Sequence, residues 1–193
     1  MQKQGEPALP LVWQWNHNPD NRLWSVTKRK GWLRLCTGLI DTSILNARNM
    51  LTQRTFGPTC SFSTMLDLSH MREGDKAGLC LLQKNFGYVG VKKEGGLLQL
   101  IVVNTENGQS VEYSVLTLRK QKIWLRADCD FRNMTDTARF YFSTNGKTWN
   151  QAGAPLKMKY TLPHFMGYRA GLFNYATKEV GGWVDVDGGR WEG

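Results

Sequence analysis

Two pairs of aspartates stand two residues apart in this sequence, Asp128 with Asp130 and Asp185 with Asp187. In an extended strand, residues at that spacing project from one face about 7 Å apart. Two such carboxylates can act as the acid and base of glycoside hydrolysis, or supply oxygen ligands to calcium. Carboxylates also line solvated strand faces, so all three interpretations stay open. We predict no cofactor, and a structural calcium ion at Asp185 and Asp187 is the candidate metal.

Other catalytic signals are absent from the sequence. It has no G-x-S-x-G elbow, phosphate-binding glycine loop, H-E-x-x-H or dinucleotide fingerprint. His17, His70 and His164 each fall in a predicted loop, where an isolated histidine is usually just exposed. We therefore predict that this chain is not an enzyme, with hydrolysis at the aspartate pairs as a lesser alternative.

Aromatic residues are the more informative class, with 8 tryptophans, 8 phenylalanines and 6 tyrosines. The apolar faces of sugars stack on such rings, while amide, carboxylate and guanidinium groups bind the hydroxyls. The candidate sugar-binding residues are Trp15, Trp24, Tyr88, Trp124, Trp183, Gln53 and Arg54. Large aromatics also fill cores, and we predict that role for Trp13, Phe62, Phe140, Phe142 and Trp149.

Short β-branched or aromatic runs between turn residues must position these side chains. Trp32 to Cys36, Cys60 to Leu68, Ala77 to Leu82 and Ile123 to Phe131 are typical examples. Glu94-Gly95-Gly96 and Asn145-Gly146 favour tight turns between strands. About a dozen such strands, without an amphipathic helix, predict an all-β fold of two antiparallel sheets packed as a β-sandwich.

Composition limits the partners and the compartment. Formal charge is +9, but the charge is spread, and the basic run Lys28-Arg29-Lys30 is predicted to be a solvated hairpin tip, so neither nucleic acid nor a membrane is an expected partner. Cys36, Cys60, Cys80 and Cys129 are too far apart to indicate a zinc site or a small disulfide scaffold. No signal peptide is recognisable, which favours a cytoplasmic location or leaves it unknown.

The domain organisation follows from length and from the polar opening. A chain of 193 residues with 41% hydrophobic content fits one domain best. Residues 1–8 resemble the tail of a linker, and 9–193 are predicted to form the single β-sandwich domain. We expect the chain to be a module of a longer protein.

Several segments, in order, closely resemble the C-terminal concanavalin A-like domain of glycoside hydrolase family 43 β-xylosidases, also classed as a family 91 carbohydrate-binding module. They are WQWNHNPDN at 13–21, LWS at 23–25, GWLRL at 31–35, ARNMLTQR at 47–54, FGP at 56–58, GDKAGL at 74–79 and GLFNYATK at 171–178. The resemblance implies a jelly-roll fold and a non-catalytic accessory domain. It implies xylan or xylooligosaccharides and a family 43 catalytic domain in the same polypeptide as partners. The alternative is a structural docking domain with no sugar affinity of its own.

One loop and one strand bear on that resemblance at single residues. In the family a Phe-x-Gly loop reaches over the catalytic pocket, which implies that role for Phe165 in Phe165-Met166-Gly167. The last strand departs from the family pattern, because Asp185-Val186-Asp187 is followed by Gly188-Gly189 where the family has two aromatics. The departure makes a sugar platform on that strand less expected.

Overall fold

The computed structural model describes residues 9–10, 12–159 and 167–192, apart from the side chains of 188, 189 and 191. In chain order the strands are β1 (Gln14–Trp15), β2 (Trp24–Ser25), β3 (Trp32–Cys36), β4 (Leu51–Arg54), β5 (Thr59–His70), β6 (Lys76–Leu82), β7 (Phe86–Glu94), β8 (Leu97–Glu106), β9 (Gln109–Leu118), β10 (Lys122–Asp130), β11 (Thr137–Ser143), β12 (Asn150–Lys157), β13 (Arg169–Tyr175) and β14 (Trp183–Glu192). Two 3-10 turns, Ile44–Asn46 and Arg132–Met134, complete the regular structure of the described residues.

These strands form two seven-stranded sheets, and neighbouring strands pair antiparallel throughout. The first sheet has the order β1-β4-β13-β6-β7-β8-β9, and the second has β12-β11-β10-β5-β14-β3-β2. The predicted two-sheet antiparallel sandwich is confirmed. The chain crosses repeatedly between the sheets, so residues distant in sequence become strand neighbours.

The main core lies between the sheets and follows from strict alternation along the strands. In β10, Ile123, Leu125 and Ala127 are at most 1% exposed, whereas the residues between them are half-buried on the opposite face. β5 alternates in the same way over most of its length, and β14 places Val184 and Val186 inward. Each strand therefore presents one apolar face to the core and a polar or mixed face outward.

The first sheet is apolar on its outer face as well. A second cluster there includes Met50, Cys80, Tyr88, Phe173 and Tyr175, all at most 5% exposed. Ile44 and Ala47, from the loop that joins β3 and β4, pack against this cluster. The outer face of the first sheet is thus largely covered by the chain itself, which leaves the second sheet with the more accessible outer face.

Two local predictions differ from the structure. The first strand spans Gln14–Trp15 only, although a strand from Leu11 is expected from the sequence. β12 is missing from the sequence prediction, because Gly153 and Pro155 interrupt its pattern. It lies at the edge of the second sheet, where a proline's missing N–H is tolerated.

Among the described residues, no helix is long and apolar enough to cross a membrane.

Candidate functional site

The outer face of the second sheet carries half-buried aromatic side chains beside charged ones. Cross-strand pairing places Trp124 of β10 beside Met65 of β5, which in turn pairs with Asp187 of β14. Trp32 of β3 completes this row as the partner of Asp187. Pairing across four strands thereby brings Trp32 and Trp124, which are far apart in the sequence, onto one surface.

At one end of this face, two arginines bind two aspartates, of which Asp185 is buried and Asp67 is half-buried. Arg34 donates two hydrogen bonds to Asp185, from Nε at 2.7 Å and Nη2 at 2.9 Å. Arg29 Nη1 donates to Asp67 at 2.8 Å and to Asp185 at 3.3 Å, and its guanidinium carbon lies 3.8 Å from the centre of the Trp32 ring. We call these five residues the arginine–tryptophan network. Although burial opposes it, hydrogen bonds from Ser69 and Arg29 hold the pKa of Asp67 below its usual value.

The network changes the interpretation of the basic turn. Lys28 and Lys30 are exposed as predicted, but Arg29 is half-buried and ties the turn to β5 and β14. The prediction of a merely solvated tip was wrong for Arg29. The reason is tertiary, since Asp67 and Asp185 come from strands 38 and 156 residues away.

The metal prediction receives no support from this geometry. Asp185 is only 4% exposed, and both of its carboxylate oxygens accept hydrogen bonds from Arg34. Asp187 is half-buried on the same face. Within the described ranges, no group of three or more histidine, cysteine, aspartate or glutamate residues is arranged to hold a metal ion. Asp185 acts as the central anion of an ion-pair network.

Trp183 lies beside the arginine–tryptophan network, and its ring contacts His70 and Arg34. His70 stacks on it with ring centres 4.1 Å apart and an interplanar angle of 13°, and the Arg34 guanidinium carbon lies 5.0 Å from its centre. Its indole Nε1 is buried without a hydrogen-bond partner among the described residues. Trp183 is therefore half-buried and already stacked on its own chain.

A depression of about 410 Å³ opens further along the same face, between β5, β10 and β11. Polar side chains dominate its lining, and Tyr141 supplies an aromatic ring. The lining residues are Thr59, Cys60, Ser61, Arg126, Asp128, Cys129, Asp130, Arg139, Tyr141 and Glu192. This depression is our candidate functional site.

Arg126 organises the depression. Its Nη2 donates to Asp128 Oδ2 at 2.9 Å and to Ser61 Oγ at 3.3 Å, and the Ser61 hydroxyl donates to Asp128 at 2.7 Å. The guanidinium carbon lies 5.8 Å from the Tyr141 ring centre and 5.9 Å from that of Trp149. A preformed set of donors and acceptors thus has two aromatic rings within 6 Å of its guanidinium carbon.

Both aspartates that line the depression are paired with arginines. Arg132 binds Asp130 through Nη2 at 2.7 Å, and hydrogen bonds from Arg132 lower the pKa of Asp130 to about 2. Asp128 is held by Arg126. A general acid for glycoside hydrolysis needs a raised pKa. Asp130 has the opposite shift, so its carboxyl group is unsuited to that role.

Trp124 lies between the two halves of the face. Its indole covers the turn after β11, because a Cβ on Gly146 would stand 2.9 Å from the ring. Gly146 has φ +71, so the tight turn and the ring above it both favour glycine at that position. Trp124 is half-buried on the outer face, as the alternation in β10 predicts.

The remaining sequence candidates lie elsewhere. Trp15 and Trp24 contact each other with ring centres 5.1 Å apart, where the edge strands β1 and β2 meet, and both pack on the main core. Tyr88 is 4% exposed on the covered face of the first sheet, where burial raises the pKa of its hydroxyl. The structure does not bring these three residues to the depression.

Gln53 and Arg54 lie in β4 of the first sheet, Gln53 buried at 7% exposure and Arg54 exposed. Arg54 pairs across the ladder with Arg169. Phe165 lies outside the described residues. Gln53 and Arg54 therefore do not belong to the outer face of the second sheet.

Sequence reasoning did not select Ser61, Arg126, Arg139, Tyr141 or Glu192 as binding residues. It also assigned Trp149 to the core, whereas this ring is half-buried near Arg126. The available signal was alternation, because Arg126, Arg139 and Tyr141 occupy the polar phase of their strands. Strand order decides which polar strand faces lie side by side. Alternation along a single strand does not specify that order.

Comparison with known proteins identifies the family. Residues 5–192 match the family described as the beta xylosidase C-terminal concanavalin A-like domain. The chain belongs to this family. The resemblance drawn from its sequence motifs is thereby confirmed.

Two curated relatives are beta-xylosidases by name. The beta-xylosidase of Formosa agariphila is 28% identical over 203 residues, which cover 94% of this chain and 33% of the relative. A putative beta-xylosidase of Xylanibacter ruminicola is 34% identical over 154 residues, which cover 78% of this chain and 26% of the relative. The chain thus spans a third or less of the length of either relative.

Solved structures agree on the fold. A bifunctional GH43-CE protein of Bacteroides eggerthii superposes with a TM-score of 0.94 at 54% identity, covering 99% of this chain and 25% of that chain. An engineered GH43 glycoside hydrolase with endo-xylanase and exo-arabinofuranosidase activity gives 0.87 at 32% identity, covering 96% and 39%. In each case the similarity occupies less than half of the larger protein.

Proposed function

We propose that this chain is a non-catalytic accessory domain that binds xylan or xylooligosaccharides at the depression of the second sheet. We further propose that it works in a GH43 β-xylosidase-type enzyme whose catalytic domain lies in the same polypeptide. The observation that carries the sugar-binding proposal is the placement of Arg126, Asp128 and Ser61 beside the rings of Tyr141 and Trp149.

This arrangement suits a neutral, hydroxyl-rich ligand. A sugar ring presents apolar C–H faces to aromatic rings and hydroxyls to fixed donors and acceptors. The Arg126–Asp128 pair offers both signs of charge, so it can bind hydroxyls without requiring a charged ligand. The names of the relatives supply the choice of xylan, because both are called beta-xylosidases.

Calorimetric titration of the chain with xylohexaose tests the proposal. We expect measurable heat from the wild type and about a five- to thirtyfold weaker affinity for Tyr141→Ala, because removal of one stacking ring costs about 1–2 kcal/mol. Tyr141→Phe keeps the ring and should retain most of the affinity. Glu112→Gln, on the outer face of the first sheet, is the surface control.

Absence of heat with xylohexaose, together with unretarded migration in affinity electrophoresis on soluble xylan, would overturn sugar binding. If all variants bound as tightly as the wild type, the site would not be the depression.

A second candidate function, docking without sugar affinity, is favoured by one loop. Leu39, Ile40 and Leu45 are 53%, 57% and 44% exposed in the segment between β3 and β4. Three exposed large apolar side chains within seven residues are unusual on a surface that only meets water. The partner that covers these three side chains would be the catalytic domain of the same enzyme.

Adding the chain to the separately produced catalytic domain distinguishes the two functions. Docking predicts that the chain raises the thermal midpoint of the catalytic domain, and that a Leu39→Ser, Ile40→Ser double variant does so less. A higher thermal midpoint of the catalytic domain, without binding heat in the xylohexaose titration, would favour docking alone. Binding heat without a higher thermal midpoint would favour sugar binding alone.

A further inference from the structure

Two of the four cysteines are direct cross-strand partners. Cys60 of β5 and Cys129 of β10 occupy the same register position on adjacent antiparallel strands. Both side chains face the main core, at 2% and 3% exposure. Both residues also contribute to the lining of the depression at the end of these strands.

Their geometry is compatible with a covalent bond. Directly opposed residues in an antiparallel ladder have Cα atoms about 4.5 or 5.5 Å apart, depending on the type of pair. Disulfides join Cα atoms about 4.4–6.8 Å apart, so either type of pair lies within the range. Both side chains belong to the same buried core cluster. No change of register is needed to bring the sulfurs together.

The other two cysteines lack such a partner. Cys36 of β3 pairs with Trp183, and Cys80 of β6 pairs with Gly171 and Tyr88. Cys80 is fully buried and contacts Met50 Sδ at 3.8 Å. Cys60 and Cys129 are thus the two cysteines of this chain that face each other across neighbouring strands. The thiols of Cys36 and Cys80 serve as internal controls.

We propose that Cys60 and Cys129 form an intramolecular disulfide when the protein folds in the presence of a small-molecule disulfide such as oxidised glutathione. The thiolate of one of the two cysteines attacks the glutathione disulfide, forming a mixed disulfide and releasing one glutathione thiolate. The sulfur of the other cysteine then attacks the first cysteine's sulfur and releases the second glutathione thiolate. The two cysteines lose two protons and two electrons, and one oxidised glutathione becomes two reduced molecules.

Refolding of the chain in a buffer of oxidised and reduced glutathione, followed by alkylation under denaturing conditions, tests this inference. We expect an intact mass about 2 Da below that of the fully reduced chain before alkylation. Two thiols, Cys36 and Cys80, should remain to be alkylated, and peptide mapping should find 60 linked to 129. Four alkylated thiols, or a bond that joins any other pair, would overturn the proposal.

Two variants sharpen the test. Cys36→Ser, Cys80→Ala should still lose about 2 Da on oxidation, because the proposed pair is intact. Cys129→Ala should show no loss of 2 Da, because Cys60 has lost the thiol with which it would form the bond. Should either variant fail to fold, the peptide map of the wild type alone decides the outcome.

Discussion

At the scale of single residues, Asp75 shows how burial acts on one carboxyl group. It is fully buried, Oδ2 accepts a hydrogen bond from the Arg72 backbone N–H at 2.8 Å, and Oδ1 has no partner among the described residues. Burial raises the pKa of Asp75 to about 6, and Glu179 adds to this, while the Arg72 hydrogen bond, Arg72 and Lys93 act against it. The folded state therefore holds this proton more tightly than the unfolded chain.

The sign of the pH dependence follows from linkage. The pKa of Asp75 is higher in the folded state than the ordinary 3.8, so stability contributed by this group falls as pH rises from about 4 to about 6. Asp75→Asn keeps an acceptor for Arg72 and removes the buried charge. We expect it to raise the free energy of unfolding at pH 7.5 by about 1–2 kcal/mol, and to have little effect at pH 4.

Urea denaturation at both pH values measures this difference. Asp67→Asn is the control with the opposite expectation, because the pKa of Asp67 is lowered in the fold and its loss should destabilise at pH 7.5. An Asp75→Asn protein that is less stable than the wild type at pH 7.5 would contradict the prediction.

At the scale of elements, the arginine–tryptophan network fastens the turn at 28–31 to strands β3, β5 and β14. Asp185 is its common acceptor, with a side chain 5% exposed, whereas the side chains of Arg34 and Arg29 are 22% and 33% exposed. Removing one partner of a buried ion pair leaves the others desolvated without compensation. Loss of the network should therefore destabilise three strands and one turn together.

Asp185→Asn should lower the free energy of unfolding by about 2–3 kcal/mol, because two guanidinium groups lose a charged acceptor. Water reaches both arginines, which keeps the loss below that of a fully buried ion pair. Chemical denaturation at pH 7 measures the change. Asp187→Asn, two residues along the same face, is the matched control and should cost under about 1 kcal/mol. Equal effects of the two variants would mean that the network adds nothing beyond the general loss of a carboxylate.

At the scale of the whole molecule, the contact between Trp15 and Trp24 joins the edges of the two sheets. β1 is the terminal strand of the first sheet and β2 that of the second, and each ring packs on the core that both sheets share. Trp24 also donates its Nε1 hydrogen to Asn21 at 2.9 Å. Since one core serves both sheets, the sandwich should unfold as one cooperative unit.

Trp24→Ala should therefore lower the thermal midpoint without separating the transitions of the two sheets. We expect a loss of about 2 kcal/mol, less than for a fully buried tryptophan because the ring is half-buried. Far-UV and near-UV circular dichroism should give coincident melting curves. Trp24→Phe, which keeps an aromatic ring at the seam, should recover much of the loss, and two separate transitions in either variant would refute a single unit.

The sequence by itself determined the fold class, most strands and the inward phase of each strand, because alternation and turn residues are local properties of the chain. It also placed Trp124 and the aspartate pairs on outward faces of their strands. Only the tertiary structure decided that Asp185 is buried between arginines, that Tyr88 lies under the β3–β4 loop, and that Cys60 meets Cys129. These outcomes depend on strand order and register, which join residues as many as 156 positions apart. A pattern read along one strand carries no information about which strand will lie beside it.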